Sequence, residues 1–196
     1  MTAPTATTDL MAYNFNLETA DFLSPLNALL IGQTFLHELA REGDILTAEV
    51  VLGEQKTDID LPDDQGRRPL HEAALFGRAE MVGFLLDSGA SIDAPIHPFG
   101  QTALYLAVER GHMDVVRLLI ERRASLKVED SLLGHGLLHL AAARGDTRMA
   151  GLLIASGINV FREDKKGMTP RDHAARANHP ALEQALAKVM AHQARF

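Results

Sequence analysis

Apolar residues in the middle of the chain fall in two short helical runs. Met81, Val82, Leu85 and Leu86 follow a 1, 2, 5, 6 pattern, which marks one face of a helix about three turns long. Just before them lies a shorter run, Pro69-Leu70-His71 followed by Ala73-Ala74. Proline suits a first helical turn, where its missing N–H has no partner to lose. The two alanines are small enough to let a neighbouring helix approach closely. Gly77 separates the runs and Gly89 follows the second; both positions call for positive φ, where a helix stops and the chain turns. The stretch from Gly66 to Asp93 therefore predicts two short antiparallel helices joined by a tight turn.

One such hairpin cannot bury its own apolar face, so copies of it are expected to stack. Copies are present. Leading glycines stand at Gly32, Gly66, Gly100 and Gly134, each 34 residues apart, and at Gly167 after a step of 33. The mid-unit turn residues are Gly43, Gly77, Gly111, Gly145 and Asn178. Asn tolerates left-handed backbone better than most residues and can stand in for Gly. The aligned segments read GQTFLHELAREGD, GRRPLHEAALFGR, GQTALYLAVERGH, GHGLLHLAAARGD and GMTPRDHAARANH. Further along the units, Met113 to Glu121 predicts a second helix, and so does Ala181 to Gln193, with Leu182, Leu186 and Val189 inward.

These segments resemble the ankyrin repeat, whose pattern is G-x-T-P-L-H-x-A-A-x-x-G-H followed by V-V-x-x-L-L-x-x-G-A. The resemblance runs from Gly32 onward and implies an all-α helix–turn–helix repeat solenoid with short β-hairpin-like loop tips. Its expected repeats are 32–65, 66–99, 100–133, 134–166 and 167–196. Departures are local. Thr gives way to Arg68 and Gly136, His to Tyr105 and Asp172, and the fifth copy has Arg171 in place of the core Leu. A charged residue there suits a terminal unit whose outer side meets water. Arg123 stands where Gly89 and Gly157 do, which predicts strain or an altered cap. Ile59 comes one residue later than Ile92 and Leu126, a slip absorbed before Gly66. Upstream, residues 1–8 read as a disordered tail. Residues 9–31, with Leu10, Tyr13, Phe15 and Phe22, read as an apolar segment capping the first repeat or binding a partner.

Composition narrows the function. The chain has no cysteine, which excludes disulfides and thiolate metal sites. Its formal net charge of −7 argues against a nucleic-acid partner. No signal peptide or membrane span is expected, and the cytoplasm is the default location. There is no G-x-S-x-G, no phosphate loop and no Cys–His pair, so no enzyme, cofactor or catalytic residue is expected. His37, His71 and His139 share one repeat position, where the resemblance implies hydrogen bonds to backbone. His135 and His139 have the i, i+4 spacing of metal ligands. However, Gly136 intervenes and no third ligand follows at useful spacing, so no metal is expected.

The resemblance instead implies protein recognition through the concave face and loop tips of a monomeric stack. Read at its variable positions, the partner-binding candidates are Phe76, Phe99, Gln101, Arg110, Leu132, Leu133 and Arg144. Stacking should gather Phe76, Phe99, Leu132 and Leu133 into one apolar strip beside a basic rung of Arg110 and Arg144. The matching partner offers an apolar anchor and an acidic rim. An alternative function on the same face is an inhibitor or immunity protein that neutralises an enzyme by covering its active site.

Overall fold

In the computed structural model, which describes residues 35–54 and 57–194, the predicted hairpins form and stack. The helices are α1 (35–42), α2 (Ile45–Glu54), α3 (Pro69–Leu75), α4 (Ala79–Asp87), α5 (Ala103–Arg110), α6 (Met113–Glu121), α7 (Leu137–Arg144), α8 (Thr147–Ala155), α9 (Pro170–Arg176) and α10 (Pro180–Gln193). The expected tail at 1–8 and cap at 9–31 lie outside the described residues, as do Gly32 and the start of the first repeat.

Local chemistry marks several helix ends where the pattern asks. Pro69 and Pro170 are first residues of α3 and α9. Thr102 accepts the N–H of Tyr105 at the start of α5, and Thr169 with Asp172 forms a reciprocal cap on α9. The turn at mid-unit is left-handed, with φ of +71° at Gly77 and +58° at Asn178. Arg123 adopts the left-handed conformation that Gly89 and Gly157 take elsewhere, with φ of +65°, so the unit keeps its geometry despite the side chain.

First helices pack on first helices and second on second: α3 on α5, α5 on α7, α7 on α9, and α4 on α6. The core is the layer between them. Leu70, Met81, Val82 and Leu85 from one unit meet Leu104, Val115, Val116 and Leu119 from the next, then Leu137, Leu138, Met149 and Leu153, all buried. Ile59 packs half-buried against this core despite its slipped position. In the last unit Arg171 replaces the core leucine, is exposed, and pairs with Glu183 of α10 at 3.2 Å. Burial of the α10 face falls to Leu182 and Leu186.

The loop tips come in two lengths. Gly66 and Gly167 donate to the carbonyl three residues back, whereas Gly100 and Gly134 donate four back. The longer tips close with an antiparallel bridge each, Ile96 to Gln101 and Glu129 to Gly136; these are the hairpin-like tips.

Candidate partner-binding surface

Conspicuous polar side chains at the junctions are engaged in stacking. His71 shows the pattern best. Its Nδ1 accepts the N–H of Arg68 at 2.9 Å and its Nε2 donates to the Ala94 carbonyl at 2.9 Å. The ring is thus held neutral in one tautomer, and burial lowers its pKa to about 4. His139 repeats the arrangement with the Gly136 N–H and the Met168 carbonyl, and burial lowers its pKa too. His37 donates to the Arg67 carbonyl. In the third unit Tyr105 takes this position; burial pushes its phenol up, and the Gln101 side chain bonds to it. Gln101 is therefore half-buried and committed to the fold.

A second set of polar contacts latches the mid-unit turns. Arg78 donates to the Arg41 carbonyl, His112 to Leu75, Arg144 to Glu109 and His179 to Ala143, over 2.7 to 3.3 Å. Each acceptor is the carbonyl two residues before the mid-unit glycine of the preceding repeat. Three of the donors directly follow their own turn residue. In the fourth unit that place belongs to Asp146, which caps its own helix by accepting the Met149 N–H, and Arg144, before the glycine, reaches over instead. These latches lie directly on the turn: a Cβ on Gly77 would come within 2.6 Å of the His112 ring, and one on Gly145 within 2.5 Å of His179. The glycines are thus required by approach as well as by φ. Arg144, predicted as part of a partner-facing rung, is exposed but tied to Glu109. Arg110 beside it is exposed and makes no hydrogen bond or ion pair among the described residues.

The tips are different. Asp130 accepts the N–H groups of Leu132 and Leu133 on one oxygen, both at 2.9 Å, and that of His135 on the other. Ser131 binds back to the preceding tip, N–H to the Phe99 carbonyl and hydroxyl to the Pro98 carbonyl. The Lys165 N–H and ammonium continue the link to Leu133 and Ser131 carbonyls. The backbone of adjacent tips is therefore joined while its apolar side chains stay outside: Phe99 is 40% exposed, Leu132 66% and Leu133 44%.

Phe76 stands apart from this group. It caps the C-terminal end of α3, seven residues or roughly 10 Å of helix from its tip, under the guanidinium of Arg41 at 4.7 Å. Arg110 occupies the matching end of α5. The expected single strip is thus two groups: apolar side chains at the tips, and Phe76 with exposed cations at the far ends of the first helices. Sequence reading did not pick out Phe161, Leu46 and Val50, also exposed; the latter two project from α2.

The paired histidines resolve differently from their spacing. His139 is consumed by its backbone bonds. His135 lies ahead of α7 and its Nε2 is 3.4 Å from Oδ2 of Asp164, to which His173 Nε2 donates at 2.9 Å. These three could hold a metal ion among the described residues. Asp164 stands at the end of the same repeat, 29 residues on, and His173 in the next, so no short-range spacing announces them. Burial alone would raise the Asp164 pKa, but N–H donors from Met168, His173 and Lys166 outweigh it and hold the carboxyl well below its usual range.

This architecture agrees with the sequence comparisons. The profile for ankyrin repeats in three copies matches residues 9–96, 36–130 and 93–157, and the chain belongs to the ankyrin repeat family. The first match begins at residue 9, inside the segment read as a cap. Among relatives, alpha-latrotoxin-Lhe1a of Latrodectus hesperus is 31% identical over 153 residues, 78% of this chain and 8% of that protein. Alpha-latrotoxin-Lg1a of Latrodectus geometricus is 39% identical over 80 residues, 40% of this chain and 6% of the toxin. Palmitoyltransferase akr1 of Emericella nidulans is 32% identical over 71 residues, 36% of this chain and 10% of the enzyme. The chain spans a tenth or less of the length of these relatives. Ankyrin repeats are generally protein–protein interaction modules, and the fold is typically non-catalytic. Among the described residues no helix is long and apolar enough to cross a membrane.

Proposed function

We propose that this chain is a protein-recognition module whose anchor is the pair of joined tips carrying Phe99, Leu132 and Leu133. The observation that carries this reading is the bonding of Ser131 to Pro98 and Phe99, which presents the three exposed side chains on one fixed backbone. Clustered apolar groups on a rigid frame bind without a large ordering cost, and exposed apolar patches commonly mark interaction sites. Arg110 and Phe76, at the far ends of the first helices, form a second contact zone. A partner suited to both presents an apolar anchor to the tips and carboxylates about one helix length away.

Affinity capture from the native source, repeated with Phe99→Ala and Leu132→Ala, tests the reading. Loss of the same captured protein from both variants supports it; equal recovery by wild type and both variants would refute it. If the captured protein is an enzyme, assaying it with and without this chain separates an adaptor, which leaves activity intact, from an inhibitor.

A further inference from the structure

At the junction of the fourth and fifth repeats, two imidazoles converge on one buried carboxylate oxygen. His135 and His173 both direct Nε2 at Oδ2 of Asp164, at 3.4 and 2.9 Å. Asp164 is 1% exposed at its side chain, against 22% for His135 and 13% for His173. The other oxygen, Oδ1, receives the N–H groups of Lys166 and Met168 at 2.8 and 2.9 Å. That pair of bonds fixes the carboxylate and leaves Oδ2 to the imidazoles. Among the described residues, His173 alone makes a hydrogen bond to it, and His135 is close without one. The rings of His135 and His173 meet edge to face at 4.8 Å, and His139 packs edge to face on His173 at 5.3 Å.

Among the described residues the arrangement is confined to this junction. Corresponding positions at the junction of the third and fourth repeats hold Gln101, Asp130 and Leu140, and there both Asp130 oxygens are taken by backbone N–H groups. Acids also stand at the tips ahead of Gly66 and Gly134, as Asp63 and Asp130, but without two histidines beside them.

We propose that His135, Asp164 and His173 bind a divalent transition-metal ion of the zinc type and thereby clamp the fifth repeat to the fourth. The chemistry of the donors fits. Imidazole nitrogen and carboxylate oxygen suit zinc, nickel and copper. Zinc holds such ligands at 2.0–2.2 Å, which in a tetrahedron places donor atoms about 3.4 Å apart. The His135–Asp164 separation already has that value, and all three donor atoms lie within 4.8 Å of one another. Small rotations of the two rings supply the rest. Each ring must carry its proton on Nδ1 to bind through Nε2, so the Nε2–H of His173 moves to Nδ1 and no proton is released overall. Backbone N–H groups on Oδ1 orient the carboxylate as outer-shell donors do in metal sites. Three protein ligands leave a fourth position for water, on the side where His135 reaches solvent.

Isothermal titration of the untagged full chain with zinc chloride tests this. One equivalent should bind. His135→Ala and His173→Ala should each weaken binding tenfold or more, whereas removal of the exposed imidazole in His97→Ala should change nothing. Asp164 is left alone because its carboxylate also shapes the tip. Absence of stoichiometric binding by the wild type would overturn the proposal. So would wild-type affinity in both ligand variants. Should either variant fail to fold, imidazole NMR of the wild type decides: zinc should shift the ring nitrogens of His135 and His173 and spare those of His71. Shifts at other histidines without these two would place the ion elsewhere.

Discussion

The mid-unit turns and the loop tips are both exposed and both built from repeated sequence, yet they use their side chains in opposite ways. At the turns, Arg78, His112, Arg144 and His179 look like residues on offer, and every one is bonded to a carbonyl of the preceding repeat. At the tips, Asp130 is taken up by N–H groups of its own tip and Ser131 by carbonyls of the preceding one, but Phe99, Leu132 and Leu133 are left in water. In a solenoid each unit contacts only its neighbours, so its stability depends on junction bonds of this kind. The polar side chains named here hold the stack, whereas the apolar ones at the tips remain exposed.

Acid should break the polar side of this comparison most strongly. His71 is lowered from 6.5 to about 4 in the folded chain, so on acidification the unfolded chain takes up the proton first. Stability is full above pH 6.5, falls between 6.5 and 4, and levels off below. The loss from this one group amounts to about 3 kcal/mol. Urea unfolding at pH 7 and pH 4 should show the gap between wild type and His71→Gln shrinking by that order as the pH drops.

A smaller effect is expected from Gly77→Ala. Left-handed backbone costs an L-residue about 1–2 kcal/mol, and the new Cβ displaces His112, which forfeits roughly another 1 kcal/mol of hydrogen bonding. Thermal unfolding should report a total of about 2–3 kcal/mol, with Gly89→Ala less costly because no described residue lies within 4 Å of its Cβ position.

Arg144→Ala should remove a single exposed latch and cost about 1 kcal/mol or less in stability. Affinity for a captured partner should hardly change. Arg110→Ala should behave in reverse, weakening binding while leaving unfolding where it was. If Arg144→Ala loses affinity and keeps its stability, the latch is not its main role.

Much of the fold can be read from the sequence because its determinants are local. Period, turn glycines, Pro69, Asn178 and the apolar faces each act within one unit, and even the exposed cap residue Arg171 follows from its position. The site is less legible. Gln101 and Arg144 occupy variable positions that suggest binding, but their partners, the Tyr105 hydroxyl and the Glu109 carbonyl, are identified only once the chain is folded. Phe76 and Phe99 sit at opposite ends of a first helix, a separation that alignment of repeats conceals. His135 meets Asp164 at the far end of its own repeat and His173 of the next, 29 and 38 residues later, only once the chain is folded.

On the proposed reading the joined tips are the binding anchor, and their side chains are dispensable to the fold. Titration calorimetry of Phe99→Ala against the captured partner tests it most directly. A central anchor typically contributes about 2 kcal/mol or more, so the affinity should fall at least tenfold, while the melting temperature stays that of the wild type. Wild-type affinity in Phe99→Ala would contradict the account.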